Sequence, residues 1–336
     1  MGAGSERRSG VPAHAQRTLM VRRVESTVEI DGRCVVLSNP DKVLFPRDDF
    51  TKRDLVAYYR TMAPSILPYL TDRPLTIERF PDGIDGETWW EKDKPRGLPA
   101  WVRTVAVDAS TRRDHIDFVV CDDEATLAYV ANLGSIVLHV WYSHVPTLDT
   151  PDFILIDLDP YECGIATLAR VALRFREELE NIGLQPLVKT TGGSGLHVVI
   201  PLEPRYDYDL AKHFAELLAR RVNGIAPDET TLQRTIAKRP KGTVYLDYVQ
   251  VGKGKTYVAP FSVRARDGAP VSMPLRWPEV EAMRRKRAPE TTHEMARWTI
   301  ANVPALVKKN GDPWAHEGWV PQRLEAPLAA AQALWR

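Results

Sequence analysis

The order of short elements between residues 152 and 250 constrains the fold of this chain more than any other feature. The stretch 152–159 (DFILIDLD) is short and rich in large apolar residues, which is typical of a strand. Apolar residues at spacings of three and four then predict an amphipathic helix over 165–182. The series continues with two strands joined by a glycine-rich turn, a second helix and a fourth strand, at 185–190, 196–202, 210–217 and 243–250.

This order of strands and helices predicts the split βαβ unit of ferredoxin-like and RRM-like folds. Its usual strand order is 4-1-3-2, so strands 4, 1 and 3 are neighbours. We expect an α+β fold in which this RRM-like βαββαβ unit, within residues 151–265, packs on an N-terminal α/β module at 25–150. Residues 1–24, rich in Gly, Ser and Arg, are predicted to be a disordered arm, and residues 266–336 a C-terminal wrapping segment.

The N-terminal module carries weaker signals. Strand-like pieces cut by Pro and Gly recur over 75–120. A capping-box pattern at 51–54 predicts the start of a helix, which Pro64 and Pro68 should kink or end. A second short helix is expected over 126–137.

Composition excludes several classes of protein. The net charge is +1, so charge alone does not predict a nucleic-acid partner. The three cysteines are far apart and form no C-x-x-C pair, which argues against a zinc site and against a disulfide framework. The chain has no long apolar run and no secretory signal, so we expect no membrane span. These features favour a reducing compartment such as the cytoplasm, and nothing demands more than a monomer.

Polar residues interrupt the apolar strands of the RRM-like unit where those strands should be neighbours. Asp157 and Asp159 lie two apart on strand 1, and therefore on one face. Asp247 lies on strand 4 and His197 on strand 3, on either side. An unpaired charge within an apolar strand is costly, and a divalent cation would neutralise it. Three aspartates suit two Mg²⁺ or Mn²⁺ ions about 3.5–4 Å apart, the arrangement for in-line nucleotidyl transfer.

The aspartates alone leave other interpretations open. A lone D-x-D could stand at a strand end and simply face water. A D-x-D after an apolar strand also begins the site of haloacid-dehalogenase-type phosphatases, although those sites usually have Thr or Val where this chain has Tyr161. A D-x-D glycosyltransferase would leave Asp247 unexplained. A non-catalytic module that binds DNA ends through 5′-phosphates would bind in a salt-sensitive manner without incorporating nucleotides.

Three further features lie near these residues. The turn T-G-G-S-G at 191–195 lets backbone N–H groups approach a phosphate, but it joins two strands and so is neither a Walker loop nor a Rossmann fingerprint. Basic residues flank strand 4, where they could hold a triphosphate. Trp89 and Trp90 could stack on bases. Each feature has a plainer alternative. The glycine-rich segment could be an ordinary hairpin turn, and the basic residues could belong to a solvated loop. The two tryptophans could be a core residue beside a surface neighbour.

Three segments resemble the motifs of the archaeo-eukaryotic primase superfamily: I-D-L-D-P at 156–160, T-G-G-S-G-L-H-V at 191–198 and Y-L-D-Y-V-Q at 245–250. More closely, residues 30–275 are similar to the polymerase domain of bacterial ligase D proteins, with a supporting string W-W-E-K at 89–92. The chain has no K-x-D-G ligase motif, which suggests a stand-alone polymerase domain with the primase-polymerase fold.

The resemblance implies a metal-dependent nucleotidyltransferase that extends DNA primers and fills short gaps or ends in non-homologous end joining. It implies a preference for ribonucleotides over deoxyribonucleotides, and often the use of Mn²⁺. The partners would be DNA with gaps or double-strand breaks, NTPs or dNTPs, and end-binding and ligase proteins of the repair pathway. The protein would then work at the nucleoid, in the cytoplasm of a bacterium.

The resemblance also implies roles for single residues. Asp157 and Asp159 would bind both metal ions, and Asp247 the catalytic one. Lys42 and Lys52 match lysines that bind the 5′-phosphate of the downstream strand. The residues implied to contact the incoming nucleotide are His139, Thr191, Ser194, His197, Gln250, Lys255, Arg264 and a stacking Trp89 or Trp90.

The glycine-rich turn departs from the family pattern S-G-x-K-G-L-H. Thr191 replaces the serine and keeps a hydroxyl. Ser194 replaces the lysine and cannot supply its positive charge. The departure puts the phosphate affinity of this turn in doubt.

Overall fold

The computed structural model describes residues 25–108, 115–286 and 292–335. The arm expected at 1–24 lies outside these residues. The N-terminal part contains, in chain order, β1 Glu25–Ile30, β2 Arg33–Ser38, β3 Val43–Phe45, β4 Phe50–Thr51, α1 Lys52–Leu70, β5 Pro74–Arg79, β6 Trp89–Glu91, β7 Thr104–Asp108, β8 His115–Val120, α2 Glu124–Asn132 and β9 Ser135–Trp141.

The second half carries the predicted series of strands and helices. Its elements are β10 Phe153–Tyr161, α3 Ile165–Asn181, β11 Leu187–Thr190, β12 Leu196–Pro201, α4 Tyr208–Ile225, β13 Thr230–Thr231, β14 Thr243–Asp247 and β15 Thr256–Val258. The remaining elements are β16 Pro274–Leu275, α5 Trp277–Arg284, α6 Val303–Asn310, α7 Pro313–Glu317 and α8 Glu325–Leu334, with short 3-10 turns at Val145–Thr147, Ile236–Lys238 and Thr292–Arg297.

Two sheets form the framework: the N-terminal one is antiparallel, and the C-terminal one is mixed because β13 and β14 pair in parallel. The C-terminal sheet has the order β13-β14-β10-β12-β11-β16, so its four central strands follow the predicted order 4-1-3-2. The N-terminal sheet has the order β15-β9-β5-β8-β7, with β6 beside β5. The α+β fold class is therefore confirmed.

The two modules exchange strands, so the boundary expected at residue 265 does not separate the sheets. β15 lies before that boundary but pairs with β9 of the N-terminal sheet. β16 lies after it but pairs with β11 of the C-terminal sheet. Each sheet therefore contains a strand from the other side of residue 265.

Helix α1 begins as the sequence predicts and ends later than expected. Thr51 and Asp54 form the capping box. Pro64 and Pro68 were expected to kink or end the helix; both lie inside it, so neither ends it. The helix buries a continuous face that includes Ile66 and Leu70, and this burial offsets the cost of the prolines, about 3 kcal/mol each.

Two other expected boundaries are also corrected. Helix α2 ends at Asn132 rather than near 137, because Gly134 adopts a left-handed backbone (φ 76°) and turns the chain into β9. Strand β14 ends at Asp247 rather than at 250, because the Asp247 carboxylate accepts a hydrogen bond from the Val249 backbone N–H at 3.0 Å and folds the chain into a turn.

A buried ion pair joins the two sheets. Arg73 stands just before β5 and Asp152 just before β10, and the two form a bidentate pair at 2.7 and 2.5 Å. Both side chains are buried. Beside them the rings of Tyr142 and Phe153 stack with centroids 4.7 Å apart. The start of β10 is thereby fixed against the N-terminal sheet.

The C-terminal wrapping segment covers the edge of the C-terminal sheet. The Trp277 and Trp314 indole N–H groups donate to the backbone carbonyls of Pro186 and Val188, at 2.8 and 2.9 Å. Both tryptophans are buried. Among the described residues, no helix is long and apolar enough to cross a membrane.

The Arg73–Asp152 pair yields a test of stability. We expect Arg73→Met to lower the free energy of unfolding by about 3–5 kcal/mol, because it leaves a buried carboxylate without its cation. Urea unfolding followed by circular dichroism measures the change. Arg220→Met is the matched control, since the Arg220–Glu216 pair lies at the surface of α4 and its loss should not measurably change the midpoint. Equal effects of the two variants would contradict the role assigned to Arg73.

Candidate active site

Four polar side chains form one row across the C-terminal sheet. Lys189 on β11 pairs in register with His197 on β12, His197 pairs with Asp157 on β10, and Asp157 pairs with Asp247 on β14. Residues that pair directly in antiparallel strands project from the same face with Cβ atoms about 4.5–5.5 Å apart. Asp159 lies two residues from Asp157, so it projects from that face as well. The predicted convergence of three aspartates and a histidine on one face is therefore observed.

Asp157 lies at the centre of the row in an environment that disfavours its charge. Burial, and then the nearby Asp247 carboxylate, raise the pKa of Asp157 to about 7. Burial, and then Asp157, raise the pKa of Asp159 to about 7. Asp157 Oδ1 is buried and has no hydrogen-bond partner among the described residues, while His197 Nε2 lies 3.5 Å from it. Among the described residues, no lysine or arginine forms a direct ion pair with Asp157 or Asp159, although Lys189, Arg264 and Arg239 act on Asp157 from further away.

Asp247 uses its carboxylate differently. Oδ1 accepts from the Val249 N–H at 3.0 Å and Oδ2 accepts from the Gln250 side-chain amide at 2.8 Å. With the side chains placed in this way, no group of three His, Cys, Asp or Glu residues within 25–108, 115–286 and 292–335 stands ready to hold an ion.

The chemistry of the donors nevertheless fits a divalent cation. The orphaned Asp157 Oδ1 offers a free oxygen ligand, and burial together with a neighbouring carboxylate raises the pKa of both Asp157 and Asp159. Hard oxygen donors are the ligands that Mg²⁺ and Mn²⁺ prefer.

A cleft of about 260 Å³ opens beside Asp157, Asp159 and His197, whereas Asp247 and Lys189 do not line it. Its lining includes most of the residues that the sequence indicated, together with several that it did not. The lining residues that matter here are Trp90, His139, Tyr142, Asp157, Asp159, Thr191, Ser194, His197, Gln250, Arg264 and Arg266.

The glycine-rich turn forms one wall of this cleft. The Thr191 hydroxyl accepts hydrogen bonds from the backbone N–H groups of Gly193 and Gly195, at 3.1 and 3.2 Å, and so holds the turn together from within. A Cβ atom on Gly195 would lie 2.4 Å from the Leu158 carbonyl oxygen. The turn therefore packs directly on the strand that carries the aspartates. The Arg266 guanidinium lies against Gly193, so a cation stands at this turn although Ser194 has none.

The opposite wall contains His139 and Trp90. Their ring centroids are 4.3 Å apart, and His139 Nε2 lies 3.5 Å from Glu78 Oε2. Burial lowers the pKa of His139. Trp90 is 53% exposed, which leaves ring surface open to the cleft. Trp89 does not line the cleft, and the Arg79 guanidinium instead lies 5.1 Å from its ring centroid.

The basic residues predicted to contact phosphates lie in three different places. Arg264 lines the cleft, and burial lowers its pKa. Lys255 is exposed beside the cleft and donates to the Val249 carbonyl oxygen. Lys42 and Lys52 do not line the cleft: Lys42 pairs with Asp82 at the surface, and the Lys52 ammonium is largely buried and donates to the Ser38 carbonyl oxygen at 2.8 Å.

The sequence interpretation missed two residues of this site. Lys189 interrupts the apolar strand β11, the same signal that identified the aspartates, and is fully buried. The Tyr142 hydroxyl is buried close to the aspartates without a hydrogen-bond partner in the described residues. No pattern in the sequence distinguishes Tyr142 from a core tyrosine.

The carboxylate environment predicts a pH-dependent stability. Because the folded-state pKa of Asp157 lies above the unfolded value near 3.9, the folded state holds an extra proton between about pH 4 and 7, and stability falls as pH rises through that window. Asp157→Asn should therefore stabilise the metal-free protein at pH 8 by up to about 4 kcal/mol, and should have little effect at pH 4. Urea unfolding in EDTA measures this, with the exposed Asp209→Asn as control. A gain that does not depend on pH would contradict it.

The glycine-rich turn predicts a contrast between two glycines. Gly195→Ala forces a Cβ against the Leu158 carbonyl, so we expect a loss of about 1–3 kcal/mol. Gly224→Ala, in helix α4 with open space around the added methyl, should raise stability by about 0.5–1 kcal/mol. Thermal unfolding compares the two, and an unchanged or stabilised Gly195→Ala protein would show that the turn is not held against β10.

Comparisons with known proteins agree with this geometry. Residues 51–314 match the family model described as "LigD, primase-polymerase domain". The chain is 28% identical over 301 residues to the "Multifunctional non-homologous end joining protein LigD" of Pseudomonas aeruginosa, covering 88% of this chain and 34% of that protein. It is 31% identical over 292 residues to the "Bifunctional non-homologous end joining protein LigD" of Bacillus subtilis, covering 86% of this chain and 45% of that protein. The chain thus spans less than half the length of these relatives.

A solved structure shows the same fold. The "Polymerase Domain from Mycobacterium tuberculosis Ligase D in complex with DNA" superposes with a TM-score of 0.75 at 28% sequence identity, covering 84% of this chain and 97% of that one. The family match spans well over half of the chain, and the site motifs fall within it. The chain belongs to the LigD primase-polymerase domain family.

Proposed function

We propose that this protein is a metal-dependent polymerase that extends DNA primers by nucleotidyl transfer and fills short gaps or ends during non-homologous end joining. The observation that carries the proposal is the row of Asp157, Asp247 and His197 on one face of three adjacent strands, with Asp159 beside it. Family membership supports the same reaction class. DNA with gaps or double-strand breaks and NTPs or dNTPs are the substrates proposed here, with ribonucleotides preferred.

The aspartates would hold two Mn²⁺ or Mg²⁺ ions, which would polarise the attacking 3′-hydroxyl and the leaving pyrophosphate. The residues of this chain bind and orient. The Arg264 guanidinium in the cleft suits the phosphates of the nucleotide, and the half-exposed Trp90 ring suits a base. The Thr191 hydroxyl keeps the turn N–H groups of Gly193 and Gly195 in place beside them.

The 5′-phosphate of a downstream strand would bind outside the cleft, near Lys42 and Lys52. The two residues lie side by side, since the Lys52 backbone N–H donates to the Lys42 carbonyl oxygen at 2.8 Å. The Lys42 ammonium is partly exposed and would have to exchange Asp82 for a phosphate. End-binding and ligase proteins are proposed as partners at the DNA end, the nucleoid as the place of action, and a monomer as the working form.

The test is nucleotide addition to gapped DNA that carries a 5′-phosphate downstream. We expect extension with Mn²⁺ or Mg²⁺, and a loss of at least about 1,000-fold in Asp157→Ala/Asp159→Ala and in Asp247→Ala, because each variant removes charge that would hold the metals. The exposed Asp209→Ala is the control and should retain full activity.

Two outcomes would contradict the proposal. Retained incorporation by a folded Asp247→Ala protein would remove that residue from the catalytic set. Tight binding of phosphorylated ends without any extension would instead favour the non-catalytic end-binding module. Omission of the 5′-phosphate tests Lys42 separately, since Lys42→Ala should lower affinity only for the phosphorylated substrate.

A further inference from the structure

Lys189 is a buried charged residue to which the proposed reaction assigns no role. Its side chain is fully buried in β11, one register position from His197. The ammonium nitrogen lies 3.1 Å from the Thr190 carbonyl oxygen and 3.1 Å from His197 Nδ1, and it also contacts Ser272 Oγ. A buried lysine is expensive unless all its donors are satisfied, so these three contacts indicate a built site.

The hydrogen-bond pattern around Lys189 is consistent with only one arrangement of protons around a charged ammonium. The Ser272 hydroxyl donates to the Thr190 carbonyl oxygen at 2.9 Å, which leaves its lone pairs free to accept from Lys189. An ammonium group has three N–H donors and no acceptor. Its third contact, His197 Nδ1, must therefore be the unprotonated nitrogen of the ring, and the ring proton then stands on Nε2.

The opposite arrangement is disfavoured by the other side of the ring. A neutral Lys189 amine could accept from a protonated Nδ1, but His197 Nε2 would then present a lone pair to Asp157 Oδ1 at 3.5 Å. When Asp157 is ionised, two facing lone pairs repel, whereas an Nε2–H group is attracted to the carboxylate. Burial, and then the nearby Arg264 guanidinium, lower the pKa of Lys189, and the Asp157 carboxylate acts against that shift.

We propose that Lys189 is a positioning residue that holds His197 in the Nε2–H tautomer, so that the ring presents an N–H donor to the cleft. This inference rests on the proposed function, in which the cleft receives the anionic phosphates of a nucleotide. A bare Nε2 would repel a phosphate oxygen, whereas Nε2–H can donate to it. Ser272 belongs to the C-terminal wrapping segment, so that segment helps to hold Lys189 and, through Lys189, His197.

The first experiment reads the tautomer directly in the metal-free protein without substrate. Nitrogen-15 NMR of histidine-labelled protein, with His197 assigned by its loss in His197→Gln, should show a pyridine-like Nδ1 and a protonated Nε2. Lys189→Met removes all three donors at similar length, so the two tautomers should become mixed. The exposed Lys309→Met is the control and should leave the His197 signals unchanged. A protonated Nδ1 in the unaltered protein, or an unchanged pattern in Lys189→Met, would overturn the inference.

A second variant covers the case in which Lys189→Met fails to fold. Ser272→Ala removes one acceptor of the Lys189 ammonium and leaves the lysine in place, so we expect the same shift of the His197 signals to a smaller extent. A folded Ser272→Ala protein with a broadened or mixed His197 pattern would support the inference. A pattern identical to that of the unaltered protein would count against the anchoring of Lys189 by Ser272.

The kinetic experiment separates this inference from the proposed function. If Lys189 acts through His197, Lys189→Met should raise KM for the nucleotide by about 10-fold or more, roughly the value of one charge-assisted hydrogen bond, and Lys189→Met/His197→Gln should be no worse than His197→Gln alone. Additive losses in the double variant would overturn the inference. If the unaltered protein incorporates no nucleotide, the proposed function fails, while the tautomer measurement still decides the role of Lys189.

Discussion

The site depends on the pairing of β10 with strands on both of its sides. That register places Asp157 between Asp247 and His197, with Lys189 one strand further out. A shift of one residue in any of these pairs would turn a member of the row to the other face. The register is secured by the buried Arg73–Asp152 pair at the start of β10 and by the glycine-rich turn packed on the Leu158 carbonyl, between the two aspartates. The polar row is therefore held in place by contacts along β10, the strand at its centre.

Much of this arrangement could be predicted from the sequence, because it depends on local patterns. The spacing of apolar residues gave the strands and helices of the RRM-like unit, and general rules of strand order then brought the three aspartates and His197 together. The roles assigned to single residues remain predictions, since geometry places Asp157, His139 and Arg264 at the cleft without showing what they bind. Site residues outside the RRM-like unit, such as His139, Lys42 and Lys52, came from the family resemblance, because the spacing of apolar residues does not indicate them.

What could not be predicted depends on long-range contacts. Nothing in residues 256–258 shows that β15 joins the N-terminal sheet, because its partner β9 lies more than a hundred residues earlier. The prolines of α1 are tolerated only because tertiary burial outweighs local propensity. Trp89 and Trp90 look alike in the sequence, yet the alternation of a strand sends one ring to the cleft and the other to Arg79. A long-range contact also bears on the replacement of the family lysine by Ser194, because Arg266, from another segment, brings a positive charge to the turn.

The two buried tryptophans that cover the outer edge of β11 affect what happens when the C-terminal segment is damaged. Without Trp277, Trp314 and β16, the outer edge of β11 would present unpaired backbone groups, and such an edge is a template for pairing with another chain. The same segment supplies Ser272, which contacts Lys189 beside His197. Damage to the C-terminal segment, by proteolysis or by a destabilising substitution, should therefore cause aggregation and loss of the active site together. Solubility would then report indirectly on the integrity of the catalytic centre.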